Sequence, residues 1–269
     1  SPHIRSDESI SKIMWSVNAA LAPAALFSVY NFGMPALFTM VLCIVAAMAT
    51  EYLILKWQNK PMVINDGSAF LTGLLVAMNI PANLPWYMPL AGTIFAIAVA
   101  KHTMGGLGFN IFNPALIGRA FILASWPIAM TTWPISKDLI GKVDGLTTAT
   151  PLGMLKQQGY QKVVEHFGDQ AAMYKSLLFG VRPGSMGETS AFLLLLGGIY
   201  LIYKGYIKWQ VPVVMIGTVG ALTAAFGGDP LLHMMSGGLI LGAFYMATDM
   251  VTIPITTKGQ IIFAVGAGA

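Results

Sequence analysis

The sequence has 269 residues, of which 56% are hydrophobic and only 10% are charged, and its formal net charge is +4. A soluble domain carries about 25% charged residues, so this chain has too few polar side chains to cover a core in water. Its basic residues are spread over short polar gaps and form no single patch, which argues against nucleic-acid binding and for a membrane protein.

The apolar residues fall into segments that suit membrane helices, which need about 20 apolar residues to span the hydrocarbon layer. We predict spans at 13–30, 35–55, 68–80, 86–100, 114–130, 189–203, 211–226 and 231–250. A ninth segment begins near Gly259 and reaches Ala269, so we expect the C-terminal end of the bundle to be missing from this sequence. The predicted fold class is an all-α integral membrane protein, a multi-span helical bundle in the lipid bilayer.

The short gaps between predicted spans alternate between basic and uncharged. The uncharged gaps are 31–34 and 81–85. The basic gaps hold Arg5 and Lys12, Lys56 and Lys60, Lys101, Lys204 and Lys208, and Lys258. Short basic gaps face the cytoplasm, so the alternation predicts a cytoplasmic N-terminus and an external position for the long polar segment 131–188.

The order of predicted spans and gaps divides the chain into three parts. Residues 1–130 form a first membrane repeat of about five spans, 131–188 an extracytoplasmic loop, and 189–269 a second, incomplete repeat. Because each predicted repeat has an odd number of spans, the second repeat crosses the membrane in the opposite direction to the first. Weak similarity supports this, because a short span opens at Asp66 and ends at Pro81, and another opens at Asp229 and ends at Pro254. Such repeats also suit a small-solute channel or permease without a redox role, and this alternative stays open.

The outer segment contains the most distinctive motif, Asp-Gly-Leu-Thr-Thr-Ala-Thr-Pro-Leu at 144–152. Gly145 permits a turn. Pro151 favours an extended backbone at Thr150, which would hold that hydroxyl away from a helix. By residue chemistry alone, a threonine-rich turn is usually an ordinary loop.

This motif resembles the flavin-attachment segment of the RnfD/NqrB family, which includes the D subunits of Rnf ion-translocating ferredoxin:NAD oxidoreductases. The family pattern is Asp-Gly-x-Ser/Thr-Gly-Ala-Thr, with FMN joined to the last threonine by a phosphoester bond. The resemblance therefore implies covalent FMN on Thr150. It also implies that Asp144, Gly145, Thr147 and Thr148 belong to the attachment site, although Thr148 stands where the family usually has glycine.

Three further segments resemble the same family in the same order, namely 1–5, 105–115 and 184–190. The absence of a long N-terminal extension favours the Rnf protein over the B subunit of the sodium-pumping NADH:quinone reductase. The resemblance implies a flavoprotein of a prokaryotic cytoplasmic membrane that relays electrons, coupled to Na⁺ or H⁺ translocation. It would work with the other Rnf subunits (A, B, C, E and G), be loaded by a flavin transferase, and hold no complete active site of its own.

The family is thought to hold a second flavin, non-covalent riboflavin, within its membrane part. We expect the glycine- and asparagine-rich segment 105–115 to form a close-packed turn whose Asn110 and Asn113 are candidate ligands. Helix capping is the more common role for asparagine. Arg119 could neutralise the charge of a flavin or pair with an acid.

Other charged residues lie near or within spans. Glu51, Asp66, Glu188 and Asp229 fall near predicted ends, where solvated or capping roles are expected, whereas Asp249 looks deeper. His102, His166 and His233 lack the spacing of metal ligands, so we predict structural or solvated roles for them and no metal site. We also predict no catalytic residues.

Overall fold

The computed structural model describes residues 8–134, 150–180 and 183–269. Its α-helices, in chain order, are α1 Ile10–Phe32, α2 Met34–Trp57, α3 Ser68–Met78, α4 Tyr87–Phe95, α5 Pro114–Ser125, α6 Pro127–Met130, α7 Pro151–Gln158, α8 Tyr160–Phe167, α9 Gln170–Phe179, α10 Ala191–Tyr203, α11 Gln210–Ala225, α12 Pro230–Met235, α13 Leu239–Leu241 and α14 Thr257–Gly268. Two π-helical turns, Ala96–His102 and Gly242–Met246, continue α4 and α13. Short 3₁₀ turns lie at Ile64–Asp66 and Met186–Glu188.

The predicted helical fold with apolar spans is confirmed. Helices α1 and α2, of 23 and 24 residues, are long and apolar enough to cross a membrane. Helices α3, α5, α10 and α11 are also apolar but shorter. The outward faces of α1 and α2 expose large apolar side chains such as Leu26, Phe38 and Leu53. Continuous apolar surface of this kind suits lipid or a partner subunit better than water.

Three predicted spans differ from the observed helices. The fourth span continues beyond residue 100 as the π-helical turn that ends at His102. The fifth is broken at Trp126, whose backbone is non-helical because Pro127 follows it. The eighth was expected to run unbroken over 231–250, and this is wrong. The chain turns after Met235, because Gly237 adopts a left-handed backbone with φ of +63°.

Glycine lets the helices of the bundle approach closely. A Cβ atom on Gly73 of α3 would lie 2.6 Å from the carbonyl oxygen of Cys43 in α2. A Cβ atom on Gly197 of α10 would lie 2.3 Å from the carbonyl oxygen of Ala20 in α1. Small residues at such crossings are typical of packing between membrane helices, where van der Waals contact drives association.

Contacts near the start of α1 join gaps that were predicted to lie on one side. The indole Nε1 of Trp15 donates to the carbonyl of Asn65 at 3.1 Å. The hydroxyl of Tyr206, between α10 and α11, donates to the carboxylate of Glu8 at 2.9 Å. These contacts bring the start of α1, the α2–α3 connection and the α10–α11 connection to the same end of the bundle.

The uncharged gaps lie at the opposite end of the bundle. Asn31, at the far end of α1, donates to the carbonyl of Gly180, which caps α9. Thr39 in the early part of α2 donates to the carbonyl of Ala82. Helices α7, α8 and α9 share a small apolar cluster of their own with Leu232 of α12, formed by Met154, Val163, Met173 and Leu177. These contacts place the uncharged gaps 31–34 and 81–85 at the end opposite the α2–α3 and α10–α11 connections.

Replacing Gly73 with alanine tests the close crossing of α2 and α3. Gly73→Ala and Gly217→Ala gain similar helix propensity, about 0.5–1 kcal/mol, but a Cβ atom on Gly217 meets nothing within 4 Å. We expect Gly73→Ala to lower the thermal unfolding midpoint in detergent and Gly217→Ala to leave it unchanged or raise it. Equal midpoints for the two variants would contradict the packing described for Gly73.

Candidate functional site

A cleft opens into the bundle near the start of α1. Its apolar wall includes Ile13, Met14 and Val17 of α1 and residues of α3. Its polar wall is formed by Lys101, Asn110, Asn113, Tyr206, Thr248 and Asp249. The cleft therefore brings together side chains from distant parts of the sequence, which is the usual arrangement in a ligand site.

The two π-helical turns shape the cleft. In the turn Ala96–His102, Lys101 and His102 are both buried, with 2% and 6% of their surfaces exposed. The second turn, Gly242–Met246, places Phe244 and Tyr245 on the opposite wall. Single π-helical turns inside α-helices are frequent at functional sites.

The glycine-rich segment after the first π-helical turn folds back on the second. Gly105, Gly106 and Gly108 all have φ between +95° and +120°, a region that favours glycine. The expected close-packed turn is therefore present. The segment places Asn110 next to Asp249. The side-chain nitrogen of Asn110 donates to the carboxylate Oδ2 of Asp249 at 3.3 Å and to the carbonyl of Phe112 at 3.1 Å.

Asn113 caps a helix, which was the more common role expected for asparagine beside that of a flavin ligand. Its side-chain oxygen accepts hydrogen bonds from the amides of Ala115 and Leu116 at the start of α5. Its side-chain nitrogen donates to the carbonyl of Met246 at 3.4 Å. Asn110 and Asn113 thus line the cleft and also tie the glycine-rich segment to the second π-helical turn.

A buried ion pair forms the inner part of the polar wall. The ammonium Nζ of Lys101 lies 2.9 and 2.8 Å from the two carboxylate oxygens of Glu51, and 2.7 Å from the hydroxyl of Ser68. Glu51 is only 2% exposed. The expectation that Glu51 is solvated or caps a helix end is wrong, because α2 continues for six residues beyond it, to Trp57.

The sequence did contain a signal for this pair. An acid inside one apolar segment and a lysine at the end of another are each costly in hydrocarbon, and two such residues of opposite charge are best accommodated together. Lys101 was interpreted only as a residue of a cytoplasmic gap, so the pairing was missed.

Arg119 does not reach the cleft. It lies in the middle of α5, half-buried, and does not line the cavity. Among the residues that the structure describes, its Nε atom has no hydrogen-bond partner.

Thr150 begins helix α7 at the other end of the molecule. Its backbone is extended, with φ of −63° and ψ of 159°, and Pro151 occupies the first helical position. The extended backbone predicted at Thr150 is therefore confirmed, but the expectation that its hydroxyl lies away from a helix is wrong. The Thr150 hydroxyl oxygen accepts a hydrogen bond from the amide of Gly153 at 3.1 Å, which makes Thr150 the N-cap of α7. Asp144, Gly145, Thr147 and Thr148 lie outside the described residues.

Asp229 holds the helices that follow Thr150 against the bundle. Its carboxylate accepts hydrogen bonds from the hydroxyls of Tyr174 at 2.6 Å and Tyr160 at 2.8 Å, and from the amide of Leu232 as the cap of α12. Partial burial raises the pKa of Asp229, but these hydrogen bonds outweigh it and hold the pKa below its usual value. The carboxylate is therefore ionised at neutral pH, and the capping role predicted for Asp229 is observed.

Comparison with known proteins settles the relationship that the motifs suggested. The whole chain, residues 1–269, matches the family described as NQR2, RnfD, RnfE. The chain belongs to this family.

Individual relatives are similar over nearly the full length of the chain. It is 63% identical to the D subunit of the proton-translocating ferredoxin:NAD(+) oxidoreductase complex of Clostridium ljungdahlii, covering 100% of this chain and 83% of that relative. It is 46% identical to the D subunit of the Na(+)-translocating ferredoxin:NAD(+) oxidoreductase complex of Acetobacterium woodii, covering 100% and 81%. It is 37% identical to the D subunit of an ion-translocating oxidoreductase complex of Rhodobacter capsulatus, covering 99% and 82%.

The buried pair in this family member predicts a strongly non-additive pattern of stability. Removing one partner leaves a buried charge uncompensated, which costs about 3–5 kcal/mol. We expect Glu51→Gln and Lys101→Met each to lower the thermal unfolding midpoint sharply, and the double variant to recover much of the loss.

The exposed pair of Lys162 and Glu165 supplies the matched control, because surface ion pairs contribute little. Lys162→Ala should leave the midpoint nearly unchanged. Additive losses in the double variant of Glu51 and Lys101 would show that the pair does not act as a unit.

Proposed function

We propose that this chain is the D subunit of an Rnf-type, ion-translocating ferredoxin:NAD⁺ oxidoreductase complex. We further propose that it carries FMN on Thr150 and passes electrons between neighbouring redox subunits. The main support is the 63% identity, over the whole chain, to a relative described as the D subunit of such a complex. The position of Thr150 at a helix N-terminus supports the attachment site.

The local structure at Thr150 suits a phosphoester. The N-terminus of a helix carries a partial positive charge and unpaired amides, so a phosphate there is stabilised. Helix α7 presents this end directly to the Thr150 oxygen, with the Gly153 amide already pointing at it. A phosphate on that oxygen would bring negative charge to this helix end, next to the Gly153 amide. When bound, the flavin supplies the redox chemistry, and the chain fixes its position at this face.

The cleft is the candidate site for the second, non-covalent flavin that the family resemblance implies. Lys101, Asn110, Asn113 and Asp249 offer hydrogen-bond donors and acceptors suited to a flavin ring or its ribityl hydroxyls. The cavity volume of about 90 Å³ is smaller than the 300 Å³ or more of typical small-molecule sites. Binding would therefore require flexible side chains such as Met14 to move. Arg119 does not line the cavity, so it is left out of this proposed site.

The surface of the bundle fits a subunit of a larger assembly. Apolar faces on α1 and α2 would contact lipid or the partner subunits, for which the resemblance implies Rnf A, B, C, E and G. We assign the end that holds Glu8, Asp66 and Lys101 to the cytoplasm, following the basic gaps. Thr150 then faces the outside, where a flavin transferase would load it. The division into an inverted repeat at 1–130, an outer loop at 131–188 and a second repeat at 189–269 belongs to the same proposal.

Covalent attachment can be tested by substitution. We expect Thr150→Val to abolish the flavin fluorescence that stays with the protein on a denaturing gel, because valine has no oxygen for the ester. Thr131→Val and Thr132→Val are the controls, because they lie in the same predicted outer segment but outside the motif, and they should keep a fluorescent band. The protein should be made with a flavin transferase.

A fluorescent band in Thr150→Val would contradict the assignment of this residue. A dark band in the unsubstituted protein would remove the flavoprotein proposal altogether and favour the channel or permease.

A further inference from the structure

The buried pair of Glu51 and Lys101 is part of a longer row of polar groups. Lys101 donates a hydrogen bond to the hydroxyl of Ser68 at 2.7 Å, and Ser68 donates to the carboxylate of Asp66 at 2.7 Å. Asp66 is part-buried at the end of the bundle where α1 begins. Continuous hydrogen bonds therefore run from that end of the molecule to Glu51 in its interior.

His102 extends the row beyond Glu51. Its Nε2 atom lies 3.5 Å from the Glu51 carboxylate. The ring is only 6% exposed, and neither ring nitrogen makes a hydrogen bond within the described residues. A buried ring nitrogen without a hydrogen bond is costly in a packed interior, and such groups call for an explanation. Next to a carboxylate, an imidazole of this kind can accept a proton and become a favourable ion-pair partner.

We propose that five side chains form a proton-transfer chain between the surface and the interior: Asp66, Ser68, Lys101, Glu51 and His102. Its function is to adjust the charge beside the cleft by one proton. The proposed transfer starts from an ionised Glu51, a charged Lys101 and a neutral His102, whose charges sum to zero. With His102 protonated, they carry one positive charge, which offsets a negative charge arriving in the cleft.

Each step of the transfer balances. Lys101 gives a proton to Glu51, so that an N–H bond breaks and an O–H bond forms. Glu51 passes this proton to Nε2 of His102, which becomes charged. Asp66 takes a proton from hydronium at the surface, so that an O–H bond forms on its carboxylate. The Ser68 hydroxyl then turns toward the neutral amine of Lys101 and gives it a proton, while the Ser68 oxygen takes the proton of Asp66. Asp66 returns to the carboxylate, the net result is one proton moved from hydronium to His102, and the reverse steps release it.

Other titratable groups face the same cleft without belonging to the row. Asp249 is bonded to Asn110 on the opposite wall, and Tyr245 donates to the carbonyl of Leu194. Tyr206 donates to Glu8. Lys101 and Ser68 both line the cleft, so the row has direct access to a bound ligand. The link to electron transfer rests on the proposed function, whereas the proton chain itself does not.

Exchange of buried protons with deuterium tests the proton-transfer chain by a measurement that does not depend on flavin. The purified complex, with isotope-labelled histidine, is moved rapidly into D₂O while infrared spectra follow the imidazole N–H bands. Subtracting the spectrum of His102→Asn isolates the contribution of His102. We expect exchange at His102 to be several-fold slower in Ser68→Ala than in the unsubstituted complex, and Ser68→Thr, which keeps the hydroxyl, to restore the rate.

The sign of the change separates a transfer role from a structural one. Loss of a merely structural hydrogen bond would loosen the site and speed up exchange. Equal or faster exchange in Ser68→Ala, or a slow rate in Ser68→Thr, would therefore overturn the proposal. Asp66→Asn tests the surface end of the row in the same way, should Ser68→Ala fail to fold, and it too should slow the exchange.

The flavin content of the same samples is measured separately. A complex without denaturation-resistant flavin would contradict the proposed attachment at Thr150, and it would leave the result for the proton chain standing.

Discussion

The ion pair of Glu51 and Lys101 is the interaction on which the packing near the start of α1 depends. Taking two charges out of water costs several kcal/mol per ion, which is recovered only with close geometry and further hydrogen bonds. Here the ammonium group meets both oxygens of Glu51 and the hydroxyl of Ser68 within 3 Å. These contacts join α2, α3 and the first π-helical turn. Because Lys101 also lines the cleft, the same pair sets the shape and charge of the cleft wall.

The two candidate sites lie at opposite ends of the bundle. Helix α1 passes both, since Ile13 lines the cleft and Asn31 contacts the cap of α9 on the Thr150 side. At 1.5 Å per residue, these two positions are about 27 Å apart along the helix. In the proposed function, a cofactor on Thr150 and a ligand in the cleft would therefore serve opposite faces of the membrane.

Much of the fold follows from the sequence because apolar runs and glycine turns are local signals. The spans at α1, α2 and α3, the turn at Gly105–Gly108 and the extended backbone at Thr150 were all predicted from neighbouring residues. The break in the eighth span was missed because Gly237 and Gly238 occur inside an apolar run, where glycine is common in membrane helices. Whether such a glycine bends the chain depends on the tertiary packing around it.

The candidate site was predictable only in part. The motif around Thr150 is contiguous, so resemblance could identify it. The pair of Glu51 and Lys101 joins residues 50 positions apart, and a π-helical turn brings Lys101 and His102 inward together. The regular period of an α-helix does not predict that turn. Arg119 looked suited to a buried flavin by its charge and depth, but the face of α5 on which it lies is decided by packing.

One hydroxyl, that of Thr150, carries the proposed redox role of the chain. Trypsin should release residues 143–156, between Lys142 and Lys156, from protein made with its transferase. We expect this peptide to be heavier by the mass of FMN less one water, with fragmentation placing the addition on Thr150. A peptide of unmodified mass, or an addition on Thr147 or Thr148, would contradict the proposed attachment.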